Sequence, residues 1–452
     1  MKKMIYPRFL VITFLFLVSS VWAWGQTSIT FDISKGNVRL TDDTYSGTDI
    51  DGNVVTGLHN AQNRYLISGV TTQYDVQVGG DGQLVKESFI VCLNGVDIRR
   101  SGQQNCAFSV WNEEPSVVAV ILQNNSKNIL YSGGNRAGLE KSGGATANGT
   151  LLITCEGGYA EWKTNPNHGH TSGVYNESAC TDACGHLDAK SGNAWYKLSK
   201  KPTKEPSYYW SGAGIGTGGQ GNNGSVEPNV ISGNNALVNL TIAGGHIKAA
   251  GAWGETDGSS GGGASIGTGS AADKSDAIIG GTVNGLKITG GDIKAYRVDN
   301  SAACIGGGYR SGYVNMHIYG GTIDVTDQLM TPTEGQNLLK VRAAAIGGGG
   351  GGSSSSSPAG ATIHIHNGKI DALGQYGSAI GSGAGGSDGV GQDAVVIIDN
   401  GFITATTNKG DGNGSGAAIG SGGSKGSGHA GHANVTINGG VIVAYSEVGA
   451  DI

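Results

Sequence analysis

The sequence predicts an all-β protein, a right-handed parallel β-helix (β-solenoid) that carries an aromatic- and Cys-rich loop insertion. Three observations predict it. Glycine supplies 83 of 452 residues, about 18 % against a usual share of about 7 %. A six-residue pattern (apolar, x, Gly or Asn, Gly, x, Ile) recurs at Ile242–Ile247, Ile288–Ile293, Ile318–Ile323, Ile365–Ile370, Ile398–Ile403 and Ile437–Ile442. A second pattern, Ile-Gly-x-Gly after one or two small residues, alternates with it and starts at Ile215, Ile266, Ile305, Ile346, Ile380 and Ile419.

The steps between these starts are 51, 39, 41, 34 and 39 residues, the size of a stacked structural unit. Each unit offers two short alternating strands around a Gly-Gly or Asn-Gly bend, and a third at Ile-Gly-x-Gly. Leu240, Ile242, Ile247 and Ala249 are expected to point inward, and Thr241 and Lys248 outward. The bends take glycine and asparagine because sharp corners need positive φ. A β-propeller repeats at a similar length but needs four strands per blade, and a β-sandwich does not explain six copies of one corner. Composition excludes other classes. Glycine disfavours helix interiors by about 1 kcal/mol per residue. With 8 prolines and no three-residue glycine period the chain is not collagen, and 38 % hydrophobic against 14 % charged residues is not a disordered tail.

Taken in order, residues 1–25 read as a cleaved signal peptide. Lys2, Lys3 and Arg8 give a basic start and Phe9 to Val21 an apolar run, too short for a membrane span of about 20 residues. Cleavage falls after Ala23 or after Gly25, the second leaving Gln26 first. Losing three basic and no acidic residues takes the net charge from −6 to −9. That argues against nucleic acid and anionic membrane surfaces as partners, and no later segment is expected to insert into a membrane.

Residues 26–155 read as an N-terminal cap followed by degenerate coils. Ile29, Phe31 and Ile33 alternate within 27–65, Leu93-Asn-Gly-Val-Asp-Ile98 keeps the corner spacing, and Val117–Leu122 and Leu151–Cys155 are buried-strand candidates. Residues 156–211 interrupt the pattern. Residues 212–452 hold the regular repeats, with Gly347–Gly352 and Ser353–Ser357 as a loop inside one of them. The last four residues, Gly449 to Ile452, match Gly263-Ala264-Ser265-Ile266, so truncation inside a repeat is expected at the C-terminus.

The alternation of Gly-Ala-x-Ile-Gly-x-Gly with x-Ile-x-Gly-Gly-x-Ile-x-Ala resembles the glycine-rich β-helix repeats of secreted and surface proteins from gut bacteria. The stretch Leu93–Ile98 followed by Cys106-Ala-Phe108 is similar to what precedes those repeats. The resemblance covers most of residues 66 to 452 except 156 to 211. It implies a cell-surface, carbohydrate-binding or adhesin-like role and carries over no catalytic motif.

Segment 156–211 contains Tyr159, Trp162, Tyr175, Trp195, Tyr196, Tyr208, Tyr209 and Trp210, which is 8 of the chain's 23 Tyr and Trp. Flat rings on a loop borne by a rigid scaffold suit stacking on sugar faces. Trp162, Trp195, Tyr196, Tyr208, Tyr209 and Trp210 are therefore the candidate ligand-binding residues, with a small core internal to the loop as the alternative. The same region holds Cys155, Cys180, Cys184, His168, His170 and His186. A disulfide is the first expectation for an exported chain; a zinc site and free thiols stay open. Cys304 fills a small-residue slot taken by Ala345, Ala379 and Ala418 elsewhere and reads as buried.

Two outward arrays follow from the register. His317-Ile-Tyr319 and His364-Ile-His366 stack in adjacent coils, about 4.8 Å apart, with Asp399 next to His366. A solvent-facing ladder explains them, and a metal or a sugar would also fit. Lys294, Asp324 and Asp371 also stack, the sole arrangement with the flavour of a β-helix lyase or hydrolase. Gly214-Ile-Gly-Thr-Gly-Gly219 matches a dinucleotide fingerprint by letter alone, and no serine-nucleophile elbow, zincin or phosphate loop occurs. The expectation is a secreted or cell-surface solenoid that binds polysaccharide or glycoprotein glycans, or serves as an adhesin or scaffold module. No catalytic residue, metal or cofactor is assigned. A polysaccharide lyase or glycoside hydrolase and a passive stalk are the alternatives.

Overall fold

The computed structural model describes residues 27–80, 82–102, 104–144, 146–156, 183–191, 212–219, 236–252, 262–270, 281–297, 301–327, 341–351, 359–385, 391–409, 415–423 and 429–452. Among these residues every named element is a strand, and the strands make a 20-stranded and a 12-stranded sheet. The protein is all-β, and its sheets are built almost wholly from parallel pairs, compatible with the expected solenoid.

Pairing resolves into three parallel ladders, and each sequence repeat adds one strand to each. The first runs from Ser28–Asp32 through Arg64–Thr71, Phe89–Arg99, Val117–Leu122, Thr150–Cys155 and Leu240–Ile242. It continues through Val283–Ile288, Val314–Ile318, Ala361–Ile365, Ala394–Ile398 and Ala433–Ile437. The second forks from the first at Phe89–Arg99, whose bend at Gly95 has φ 73°. It then takes Lys127–Ser132, His186–Ser191, His246–Ala250, Asp292–Ala295 and Thr322–Val325. Lys369–Gly374, Phe402–Thr407 and Val441–Ser446 complete it. The third starts with Val38–Leu40, Val76–Val78, Phe108–Val110 and Leu139–Lys141, followed by the six Ile-Gly pairs from Ile215–Gly216 to Ile419–Gly420.

The inward alternation is as the sequence reads. Ile215, Ile266, Ile305, Ile346, Ile380 and Ile419 are fully buried, as are Leu240, Ile242 and Ala249, and Cys304 lies in the same core. One apolar cluster extends from Ile29 to Ile419. Each buried Ile or Leu contributes about 1.5–3 kcal/mol relative to exposure, and a short strand with one such residue holds its place only because the next repeat covers it. Thr241 departs from expectation. It faces outward but is 6 % exposed, beside Leu152 in register, where Leu152, Ala119 and Ala243 form a small cluster on the outer side.

The corners take glycine for the reason predicted. Gly245, Gly291, Gly321, Gly368, Gly401 and Gly440, the last residue of each bend, have φ between 94° and 130°. The third ladder has a second reason. At Gly216, Gly267, Gly306, Gly347 and Gly381 a Cβ would run into the carbonyl oxygen of the glycine one repeat on.

At the N-terminal end, Thr44–Thr48 and Val54–Leu58 form an antiparallel hairpin that also pairs with Val38–Leu40. Tyr45 and Val55 from this hairpin pack on the core, where Tyr45 meets Phe31 and Tyr65 at ring distances of 6.2 and 5.5 Å. At the other end the amides of Ala418 and Ile419 donate to the carbonyls of Ala450 and Asp451, so the last residues extend the third ladder. Residues 1–25, expected from the sequence to be a signal peptide, and the serine run Ser353–Ser357 lie outside the described residues.

Candidate functional site

The aromatic residues named from the sequence, Trp162, Trp195, Tyr196, Tyr208, Tyr209 and Trp210, also lie outside the described residues, as do Cys180, His168 and His170. Apart from Glu156, which follows the first-ladder strand Thr150–Cys155, the described part of segment 156–211 leads into the second ladder. His186–Ser191 pairs in parallel with Lys127–Ser132 on one side and His246–Ala250 on the other. The sequence signal was present: Ala183-Cys-Gly-His-Leu-Asp-Ala189 follows Ala243-Gly-Gly-His-Ile-Lys-Ala249 position by position, with Cys184 standing in for a corner glycine. That substitution hid the copy. Cys184 and Cys155 are buried with their sulfurs 2.8 Å apart, at the two ends of the excursion 156–183.

The His–Tyr array lies on the outward side of the first ladder. His317 and His364 are direct register partners, and Tyr319 and His366 follow one residue after Ile318 and Ile365, which pair in turn. Tyr319 stacks on His366 with centroids 4.3 Å apart and planes 5° from parallel, and His317 lies parallel to His366 at 5.5 Å. His317 Nδ1 is 3.2 Å from His366 Nε2. Asp399 in the next repeat accepts from both neighbours through one oxygen, 2.7 Å from His364 Nε2 and 3.0 Å from His366 Nδ1. Its other oxygen accepts from Asn438 Nδ2 at 2.9 Å.

This packing sets the charges. Burial, then the neighbouring His366 and His364 and Lys287, push the His317 imidazole below the ordinary histidine range, towards the neutral form. Partial burial would raise the Asp399 carboxyl, but the hydrogen bonds from Asn438 and His364 outweigh it and hold the group ionised. All three histidines are half-buried, and each offers a ring nitrogen within 4.8 Å of the others; among the described residues this is the one such cluster of three or more metal-type donors.

Lys294, Asp324 and Asp371 are in register on the second ladder, as the sequence predicts. Lys294 Nζ is 3.3 Å from Asp324 and 2.5 Å from Asp327, a partner the repeat pattern did not reveal. The hydrogen bond to Asp327, and then Asp324, raise the Lys294 pKa. Asp324 is lowered: burial opposes, but the hydroxyl and amide of Thr326 and the Lys294 ammonium outweigh it.

A third outward patch was missed. Phe402 is 59 % exposed and Tyr445 55 % exposed on the same face of the second ladder. Phe402 sits beside Lys369, Thr404 beside Asp371, and Tyr445 beside Thr406. Tyr445 is thus one strand over and four positions along from Phe402, about 13 Å down the strand direction. Its signal was an aromatic residue at an outward repeat position.

No family model matches the chain, and no curated protein or solved structure does.

Proposed function

We propose that the chain is an exported, right-handed parallel β-helix that binds polysaccharide or glycoprotein glycans along its outer face, as an adhesin or scaffold module. The observation that carries this reading is the patch of Phe402 and Tyr445, two exposed rings on a ladder whose neighbouring outward positions include Lys369, Asp371, Thr404 and Thr406, with exposed Val441 beside Phe402 and exposed Val443 between it and Tyr445. Rings stack on the apolar faces of sugars while flanking hydroxyl, ammonium and carboxylate groups hydrogen-bond their edges. Strands locked in register hold both rings at fixed spacing, so little ordering is needed on binding. The acidic charge of the chain directs it away from nucleic acid.

The lyase or hydrolase alternative loses support at the Lys294 face. A lysine base must shed its proton near neutral pH, and Lys294, clamped by Asp327 and Asp324, is shifted the other way. A general acid must keep its proton there, and Asp324 is shifted towards ionisation. Lys294 is paired with two carboxylates, and Asp371 continues the ladder as a further acidic group.

Affinity electrophoresis of the chain from Gln26 through gels containing mucin, host and plant polysaccharides tests the proposal. Selective retardation is expected, and Phe402→Ala with Tyr445→Ala weakens it by about tenfold, or about 1.4 kcal/mol. Trp195→Ala and Trp210→Ala, assayed in parallel, reveal whether segment 156–211 contributes. Absence of retardation by every polymer overturns glycan binding and leaves the stalk.

A further inference from the structure

We propose that His317, His364 and His366 form a binding site for one divalent transition-metal ion, with Asp399 as the residue that positions the imidazoles. The inference is independent of the glycan reading, since it concerns a different patch and a different ligand.

Geometry carries it. Two ligands in a tetrahedral zinc shell, each about 2.0–2.1 Å from the ion, lie about 3.4 Å from one another. His317 Nδ1 and His366 Nε2 are 3.2 Å apart. In the ion-free protein one of these nitrogens must donate a proton to the other; an ion replaces that proton and takes both lone pairs. His364, whose Nε2 lies 2.7 Å from Asp399, brings the third nitrogen within 4.8 Å of both.

The surroundings are those of a metal ligand set. His366 turns its second nitrogen, Nδ1, to the Asp399 carboxylate at 3.0 Å, the carboxylate–histidine arrangement that fixes the tautomer and leaves Nε2 as the donor. Asn438 holds Asp399 from the far side at 2.9 Å. Tyr319 lies flat on the His366 ring and limits its rotation. His317 and His364 stand on two strands paired in register over five residues, and His366 follows immediately after the second. They are half-buried, which keeps the site open to ions from solvent and leaves room for a water or a ligand atom in the fourth position. Imidazole nitrogens select zinc, nickel or copper and disfavour calcium and magnesium, which want oxygen.

The protein also contains a histidine pair, His186 and His246, stacked at 4.6 Å with Asp292 on His246. It lacks a third imidazole among the described residues and serves as the internal control.

The test is isothermal titration of the untagged chain with Zn2+, alongside the visible spectrum of the Co2+-loaded protein. One ion per chain is expected, with micromolar or tighter affinity and a Co2+ band of nitrogen-coordinated type. His317→Gln and His364→Gln, made singly on the solvent face so that the core stays intact, should each lower affinity at least tenfold. Asp399→Asn should lower it 10–100-fold and alter the Co2+ band, a change a purely structural role would not produce. His246→Gln should leave both readouts unchanged. Absence of a bound ion, or binding that survives His317→Gln and His364→Gln in proteins with unchanged circular dichroism, overturns the proposal.

Discussion

Lys141 ends the strand Leu139–Lys141 with its side chain turned into the core, level with Val110 of the neighbouring strand. Its ammonium donates to Asn112 Oδ1 at 3.0 Å and to the Ala147 carbonyl at 2.8 Å. Burial alone pushes its pKa down to about 7, against about 10.4 in an unfolded chain. Between those values the unfolded state binds a proton that the folded state does not, so stability rises with pH across this window. Below about pH 7 both states are charged and the folded one carries the desolvation penalty. Urea melts at pH 6 and pH 9 are expected to give the higher stability at pH 9, with a slope of up to about 1.4 kcal/mol per pH unit from this group. Lys141→Met should remove that contribution, and an unchanged slope in the variant would refute the assignment. One residue away, Glu140 turns outward and accepts two hydrogen bonds from Arg136, both 2.7 Å, with Glu140 2 % exposed. Glu140→Ala strands a buried guanidinium and is expected to destabilise the fold by about 3–5 kcal/mol in the same melts.

Two-residue strands are too short to be stable alone, and at the element scale the third ladder survives by close backbone approach. Gly306 has φ 134°, and a Cβ there would strike the Gly347 carbonyl oxygen of the next repeat. Gly306→Ala should therefore lose about 1–3 kcal/mol, whereas Ala345→Gly one strand away, in a position of ordinary φ, removes a buried methyl and adds unfolded-chain entropy without a backbone clash. Equilibrium denaturation separates the two. At the same scale, the residues on either side of segment 156–183 are brought together. Cys155 and Cys184 are buried with sulfurs 2.8 Å apart, a small rotation from the bonded separation of about 2.05 Å. In an oxidising compartment a disulfide should form there. Closing a loop of this length is worth about 3–4 kcal/mol in the chain-entropy account. Alkylation of the unfolded chain should label Cys155 and Cys184 only after reduction; labelling without reductant would show that the bond is absent.

At the scale of the whole molecule, each repeat touches mainly its two neighbours, so stability is a sum over interfaces and damage should stay local. Ile346 is fully buried between Ile305 and Ile380 in the third ladder. Ile346→Ala is expected to cost about 2–5 kcal/mol. Hydrogen exchange should reveal lost protection in the strands from Ile305–Gly306 to Ile380–Gly381, while Val117–Leu122 and Thr150–Cys155 keep theirs. A uniform loss along the chain would mean that the three ladders unfold as one cooperative body.

The repeat made much of this readable in advance. In a strand, inside and outside alternate with period two, so the six corner motifs sufficed to assign Ile247 inward and Lys248 outward and to bring His317 level with His364. Equal spacing from each corner carried that register from one repeat to the next. Contacts that depend on residues between motifs were not readable, because the repeats differ in length and loops absorb the difference. Asp327 lies beyond its strand's end, and only the folded backbone brings it back to Lys294. Cys155 and Cys184 meet because Thr150–Cys155 and the concealed repeat copy at Ala183–Ala189 fall on successive sides of the same turn. The rings of Phe402 and Tyr445 were assignable to the outer face by alternation, but their exposure depends on what packs over that face. Local pattern determines which way a side chain points; the stacking of non-adjacent segments determines what it meets there.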